Sequence, residues 1–319
     1  MEGRQRTIEP SDDDGRGLTA TSPLDIPATG WKETLKRSAK EVEQDNIQIL
    51  AAAVAFYFFL SLIPALAATT ALYGLVSDPD EVATQLESLT SGLPDAAATL
   101  IVDQARESAG ADPAALSVGL VISVALALFS ASKGTQALVK ALNIAYDEEE
   151  GRGFLKLRLV SLGLTLGIIT LAIIGVGGIV TVGDLASDVG AGWLVSALRW
   201  PALGALLVLV LALMYRYAPD RDNPKWRWTT PGAVAAAVLI AVGSLAFAWY
   251  TDNFGSEQSS GFLGAVGVLL LWLFLSAFAI LFGAELDSEL EHQTAKDTTD
   301  GPEQPMGQRD ANMADTVAR

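Results

Sequence analysis

The 319-residue chain has no cysteine and a single histidine. Without cysteine there is no disulfide framework, no thiolate nucleophile and no thiolate metal site. The one imidazole, His292, lies in a polar tail after the last apolar stretch. That excludes histidine-based metal sites and Ser-His-Asp chemistry from the apolar body. Positive charge is also scarce: 21 Lys and Arg stand against 37 Asp and Glu, a net charge of -16. With no basic stripe to displace counterions from phosphate, nucleic acid is an unsuitable partner. Neither a GxxxxGK[ST] phosphate loop nor an HExxH helix occurs. The sequence therefore predicts no catalytic constellation, no metal and no cofactor.

What the chain has instead is hydrophobicity in blocks. Half of it (50%) is hydrophobic, and Asn46 to Leu75 runs about thirty residues without a charge, enough to cross a hydrocarbon core of roughly 30 Å. On a helical projection of about 100° per residue, Asn46, Ala53, Tyr57, Ser61, Pro64 and Ala68 share one small, polar side. Phe58, Phe59, Leu62, Ile63 and Leu66 take the other. The expected arrangement turns the small side to neighbouring helices and the bulky side to lipid, because close backbone approach holds membrane helices together. A second small stripe, Gly119, Ser123, Ala127, Ser130, Gly134 and Ala137, is expected to face the first.

Six spans are predicted, at about 49–73, 114–133, 159–182, 193–217, 231–250 and 261–284. The fold class is thus all-α, a polytopic membrane bundle occupying residues 30–290. Pro64 marks a packing position in the first span, and Gly163 and Gly167 form a GxxxG close-contact candidate in the third. Trp193, Trp200, Tyr215, Tyr217, Trp226, Trp228 and Trp249 are expected at membrane interfaces. Thr229-Thr230-Pro231 reads as the cap and first position of the fifth span. Residues 1–29 and 291–319, polar and without apolar period, are expected to be disordered. Between them and the first span, Trp31, Leu35, Ala39 and Val42 mark one side of a helix and Lys32, Lys36 and Lys40 another. This helix is either interfacial, its lysines meeting anionic headgroups, or a solvated lead-in.

The aqueous segments in order hold 7, 1, 4, 1, 4, 0 and 3 Lys and Arg, 18 in odd segments against 2 in even ones, with Lys133 inside the second helix. By the positive-inside rule both termini are expected in the cytoplasm. The outer loop 78–112 then carries eight acids and one base. It is either a solvated cap, with Asp80 and Asp95 at the starts of two short helical patterns, or a binding surface for a partner protein. Nothing in the sequence sets an oligomeric state.

An ionisable group at membrane depth is costly and so a functional candidate. Helix counting brings Lys133 and Glu285 to the same cytoplasmic mouth, where they form a candidate ion pair closing a pathway. The competing reading has Lys133 snorkelling and Glu285 ending its helix in water. Tyr57, Ser61, Ser123 and Ser130 are candidates for a polar track, or for interhelical hydrogen bonds.

Several of these segments carry a resemblance. Ala51-Ala52-Ala53-Val54-Ala55-Phe56-Tyr57 with Ser61-Leu62-Ile63-Pro64 is the first, followed by Ser130-Ala131-Ser132-Lys133-Gly134 with Asn143-Ile144-Ala145-Tyr146. Tyr215-Arg216-Tyr217-Ala218-Pro219 comes next, then Gly261-Phe262-Leu263-Gly264-Ala265-Val266 with Gly283-Ala284-Glu285-Leu286. Together they resemble the YihY/virulence factor BrkB family of prokaryotic inner-membrane proteins over roughly residues 31–290. The resemblance implies a six-helix inner-membrane protein whose relatives are linked to serum resistance and to movement of lipids or envelope molecules. The family's older label, ribonuclease BN, fits badly, since phosphodiester hydrolysis calls for metal-binding carboxylates or histidines beside a basic groove. Two functions stand: a transporter or flippase-like protein acting on a lipid or amphiphile, and a non-transporting envelope scaffold.

Overall fold

The computed structural model describes residues 15–74, 113–188, 192–254 and 262–318. The acidic loop 78–112, with Asp80 and Asp95, lies outside them. Seven helices longer than two turns are described: α1 (Ala28–Gln44), α2 (Ile47–Gly74), α3 (Pro113–Ala145), α4 (Phe154–Asp188), α5 (Gly192–Tyr217), α6 (Trp226–Phe254) and α7 (Phe262–His292). A short α8 (Asn312–Asp315) follows near the C-terminus. Long uncharged runs satisfy their own backbone within a helix, the one open-ended structure a bilayer admits. Among the described residues no strand forms, apart from an isolated bridge between Pro224 and Thr299. Among the described residues four helices are long and apolar enough to cross a membrane, over Phe154–Gly175, Ala197–Tyr217, Trp226–Trp249 and Val266–His292. A fifth is added if α1 and α2, which meet at a 66° bend, count as one span.

Helices α2 to α7 pack as a ring. Each touches the next in chain order, and α7 closes the circuit against α2. Among the described residues the buried core lies at one end of the ring. Its buried core is built from the start of α2 (Ile47, Ala51, Val54), the end of α3 (Leu138, Val139, Ala141, Leu142, Ala145) and the end of α5 (Leu211, Ala212, Met214). The start of α6 (Ala233, Ala236, Ala237) and the end of α7 (Ala277, Leu281, Ala284) complete it. Beyond that level burial stops. No described side chain is buried in α4 after Thr165, in α5 before Leu211, in α6 after Ala237 or in α7 before Ala277. A Cβ added at Gly163, Gly167, Gly204, Gly243 or Gly267 would meet nothing within 4 Å.

The helices are tightest where α6 crosses α7. A Cβ on Gly232 would stand 2.0 Å from the carbonyl oxygen of Gly283, and one on Gly283 2.5 Å from that of Gly232. Two backbones meet here with no room for a methyl group. Against α3, the ring of Phe58 fills the notch at Gly134, 3.3 Å from where a Cβ would sit.

Several expectations are corrected. Helix α2 buries Ile47, Ala51, Val54, Ala55 and Ser61 and packs Phe58 inward, while Tyr57 (41% exposed) and Ala53 face out. The packing face is rotated towards Phe58 because the small residue lies on the partner helix, as a hole for a large ring. In α1 it is Gly30, Thr34 and Ser38 that are buried, so Leu35 and Ala39 share the exposed face with Lys32, Lys36 and Lys40. Helix α6 starts at Trp226, a turn before the expected threonine cap, and Thr229 and Thr230 both donate to the Trp226 carbonyl. Trp228 and Tyr215, expected at interfaces, are buried at 1% and 0% exposure.

The expected disordered tails are folded where they are described. Residues 15–27 include a 3₁₀ turn at Pro23–Asp25, and residues 293–318 pack across the same end of the ring. Arg309, 4% exposed, holds this segment by donating to the carbonyls of Gln304, Lys296, Ala314 and Ala295. Its order rests on side-chain to backbone bonds, which leave no hydrophobic period to read.

Candidate functional site

The packed end of the ring buries an acidic ladder on α7: Glu285, Asp287, Glu289 and Glu291 are all between 0% and 2% exposed. Spaced by two residues on a helix, they alternate between two sides, Glu285 with Glu289 and Asp287 with Glu291.

The first side faces α1. Arg37 pairs with Glu289 through Nε and donates from Nη2 to the Gln293 amide oxygen (2.7 Å) and the Glu289 carbonyl (3.3 Å). Glu285 has no cation. Asp45, in the bend between α1 and α2, faces it, with Asp147 and Glu41 nearby. Burial, then Asp147 and Glu41, push the Asp45 carboxyl up to about 6.

The second side is the more enclosed. Asp287 Oδ1 accepts from the backbone N–H of Gly232 (2.6 Å) at the α6–α7 crossing. Beside it Tyr215 donates its hydroxyl to the Ile280 carbonyl at 2.6 Å. Arg221, from the loop between α5 and α6, donates from Nη2 to Glu291 Oε2 at 2.6 Å, both side chains fully buried. Thr298 of the C-terminal segment donates to the same oxygen at 2.7 Å. The guanidinium carbon of Arg221 lies 5.0 Å from the ring centre of Tyr146. Four buried atoms here have no hydrogen-bond partner: Tyr146 Oη, Arg221 Nη1, Asp287 Oδ2 and Glu291 Oε1. The cluster approaches the surface at the partly buried Glu148, which interacts with Arg221 and Glu291 and accepts from the backbone N–H of Asn312 at 2.8 Å. Burial pushes the Glu148 carboxyl up to about 7.

The loops are locked to this end by Asn143. Its side chain donates to Glu150 (2.9 Å) and accepts from the backbone N–H of Asp220 (2.8 Å), while Arg152 bridges Glu150 and the Ala218 carbonyl. Among the described residues no group of three or more His, Asp or Glu is arranged to hold a metal ion.

Lys133 and Glu285 do not meet. Lys133 is exposed, its amine 5.5 Å from the ring centre of Phe129, and no ion pair joins it to Glu285. The error was one of level. Helix α3 continues to Ala145, so Lys133 stands 13 residues before Tyr146, about 20 Å at 1.5 Å per residue. Tyr57 is exposed, Ser61 donates to the Phe58 carbonyl at 2.6 Å, and Ser130 is half-buried. No polar track joins these three. Ser123, Pro64 and Gly119 lie in described helices, but their side-chain surroundings fall outside the described set. Gly163 and Gly167 touch no neighbour; the close glycine of α4 is Gly175, against Leu206. Sequence reading gave no site role to Asp287, Arg221, Gly232 or Arg37. The acids at every second position looked like a solvated helix end, and the motif residues Asn143, Tyr146, Tyr215 and Gly283 were the signal that pointed to this end.

No solved structure matches the chain. YfkH of Bacillus subtilis, whose name calls it ribonuclease-like, is 32% identical over 266 residues, covering 80% of this chain and 94% of that protein. A UPF0761 membrane protein of Rhodospirillum centenum is 29% identical over 90% of this chain and 64% of its own length. Another, from Idiomarina loihiensis, is 26% identical over 81% and 90%. The profile of the family described as virulence factor BrkB matches residues 38–307, and the chain belongs to that membrane-protein family.

Proposed function

We propose that this protein is a six-span transporter or flippase-like protein of the cytoplasmic membrane, both termini cytoplasmic, acting on a lipid or envelope amphiphile. The observation that carries the reading is a ring of six helices whose buried core, among the described residues, is confined to one end. A core gathered at one end suits a carrier, which needs an apolar space open on one side and sealed on the other. In this reading 30–290 is the membrane domain, the charged end is the sealed cytoplasmic mouth, and membrane lipids fill the open half. The exposed lysines of α1 lie against anionic headgroups at that mouth.

The reading has no catalytic role. The ribonuclease-like name of YfkH belongs to that protein, and a net charge of -16 suits an RNA substrate poorly. Orientation is tested by fusing reporters that work on one side of the membrane after Gly255 and after Glu291. Opposite compartments are expected, and matching compartments would contradict the six-span arrangement. Occupancy is tested with photoreactive phospholipid. Labelling is expected at Gly167→Cys in the open half and not at Ala236→Cys in the packed half. Equal labelling, with a stoichiometric protein partner captured by loop 78–112, would favour the scaffold.

A further inference from the structure

The Asp287 side of the ladder has an imbalance that its ion pair does not resolve. It buries two acids, Asp287 and Glu291, and one cation, Arg221, all fully enclosed. The groups facing Asp287 are Tyr215 from α5, Tyr146 from the end of α3, Arg221 from the α5–α6 loop and Glu291 from its own helix, with Glu148 beyond them. Helix α6 presents the Gly232 N–H and no charge. Burying a charge without a partner is costly. Glu291 holds the guanidinium at 2.6 Å, whereas Asp287 has one neutral amide and a second oxygen with no partner.

We infer that Asp287 is a proton-binding site, protonated while the charged end is closed and giving its proton to cytoplasmic water when α6 and α7 part there. This rests on reading that end as the mouth of a pathway, and adds an energy source to it: the ligand is a proton. As an acid, Asp287 is neutral, matching the ion pair beside it, while its Oδ1 still accepts from the Gly232 N–H. On loss of the proton the carboxylate sits buried at the Gly232–Gly283 crossing. No methyl group fits between those backbones, and Asp287 is fully buried, so exposing it to water at this crossing requires the helices to move apart.

The absence of cysteine makes the test direct. Spin labels are placed at two exposed positions, Lys36→Cys on α1, which packs on α7, and Thr230→Cys on α6. The full chain is measured in phosphatidylethanolamine/phosphatidylglycerol nanodiscs across a pH series, alongside infrared detection of protonated carboxyl groups. A short distance at low pH is expected to give way to a longer one as pH rises, together with loss of one protonated-carboxyl signal. Asp287→Asn, which keeps the bond to Gly232, should hold the short distance at every pH and lack that signal. Glu291→Gln leaves Arg221 for Asp287 to neutralise and should shift the transition to lower pH by about one unit or more. If Asp287→Asn keeps the wild-type transition and signal, or Glu291→Gln leaves its midpoint in place, the proton site is overturned. Lipid movement is not read in this experiment. A chain that titrates as described but moves no lipid would retire the transport reading alone.

Discussion

Gly232 and Gly283 show how much of this protein depends on single atoms. A methyl group at either would overlap a carbonyl oxygen of the opposite backbone, so Gly232→Ala or Gly283→Ala must push α6 from α7. Overpacking of a close-packed site costs about 1–3 kcal/mol; both variants should fall within or above that range in detergent melting. Gly163→Ala and Gly167→Ala, with open space at their Cβ positions, should melt like the parent protein. Equal losses in the two pairs would show that the tight crossing is misplaced. A second contrast concerns charge. Arg221→Ala leaves Glu291 buried without its cation, and losing one partner of such a pair costs about 3–5 kcal/mol. Lys133→Met should change stability little, because Lys133 is exposed and pairs with no carboxylate. A larger loss at Lys133 than at Arg221 would reverse the assignment. The sequence showed both residues as basic, but not their burial. Arg221 is buried through a loop fold that leaves no periodic trace.

At the scale of elements, hydrophobic length was easy to read and helix faces were not. The uncharged runs all fall within helices, four of them long and apolar enough to cross a membrane among the described residues, because lipid forces the backbone into helices. Which side of α2 packs was misjudged because a small-residue rule says where backbones approach, whereas α2 and α3 meet by a large ring entering a small notch. The end segments were missed for a related reason: Arg309, Asp297 and the threonines 294, 298 and 299 hold them by polar bonds. Those segments, with the loops, make the charged end sensitive to pH. Burial raises Glu148 to about 7 and Asp45 to about 6, and raises Asp147 as well. An acid with a raised value binds more protons folded than unfolded. Its stabilising contribution is therefore complete below the unfolded value near 4 and is lost as pH climbs through the folded value. The protein should melt at a higher temperature at pH 5 than at pH 7.5. Glu148→Gln should flatten the upper part of that dependence. A melting temperature that rises from pH 5 to 7.5 in the parent protein would contradict these protonation states.

At the scale of the molecule, the sequence predicted an all-α membrane bundle, and family membership follows from motifs spread along the chain. It gave no sign that the helices close a ring in chain order, nor that the buried core of the described residues gathers at one end. Both depend on contacts between residues far apart in sequence, and an exposed alanine or valine reads the same whether it faces lipid or an open interior. That ring, with its core at one end, carries the account's central claim, movement of an amphiphile. The most direct measurement reconstitutes the purified chain into liposomes containing a trace of fluorescent phospholipid and adds an impermeant reductant outside. Empty liposomes lose about the half of the signal in the outer leaflet. If the protein moves lipid, the loss should extend well beyond half, and Gly283→Ala, which disturbs the seal, should change its rate. Protein-containing and empty liposomes bleaching to the same plateau, with the chain folded and oriented, would contradict the claim.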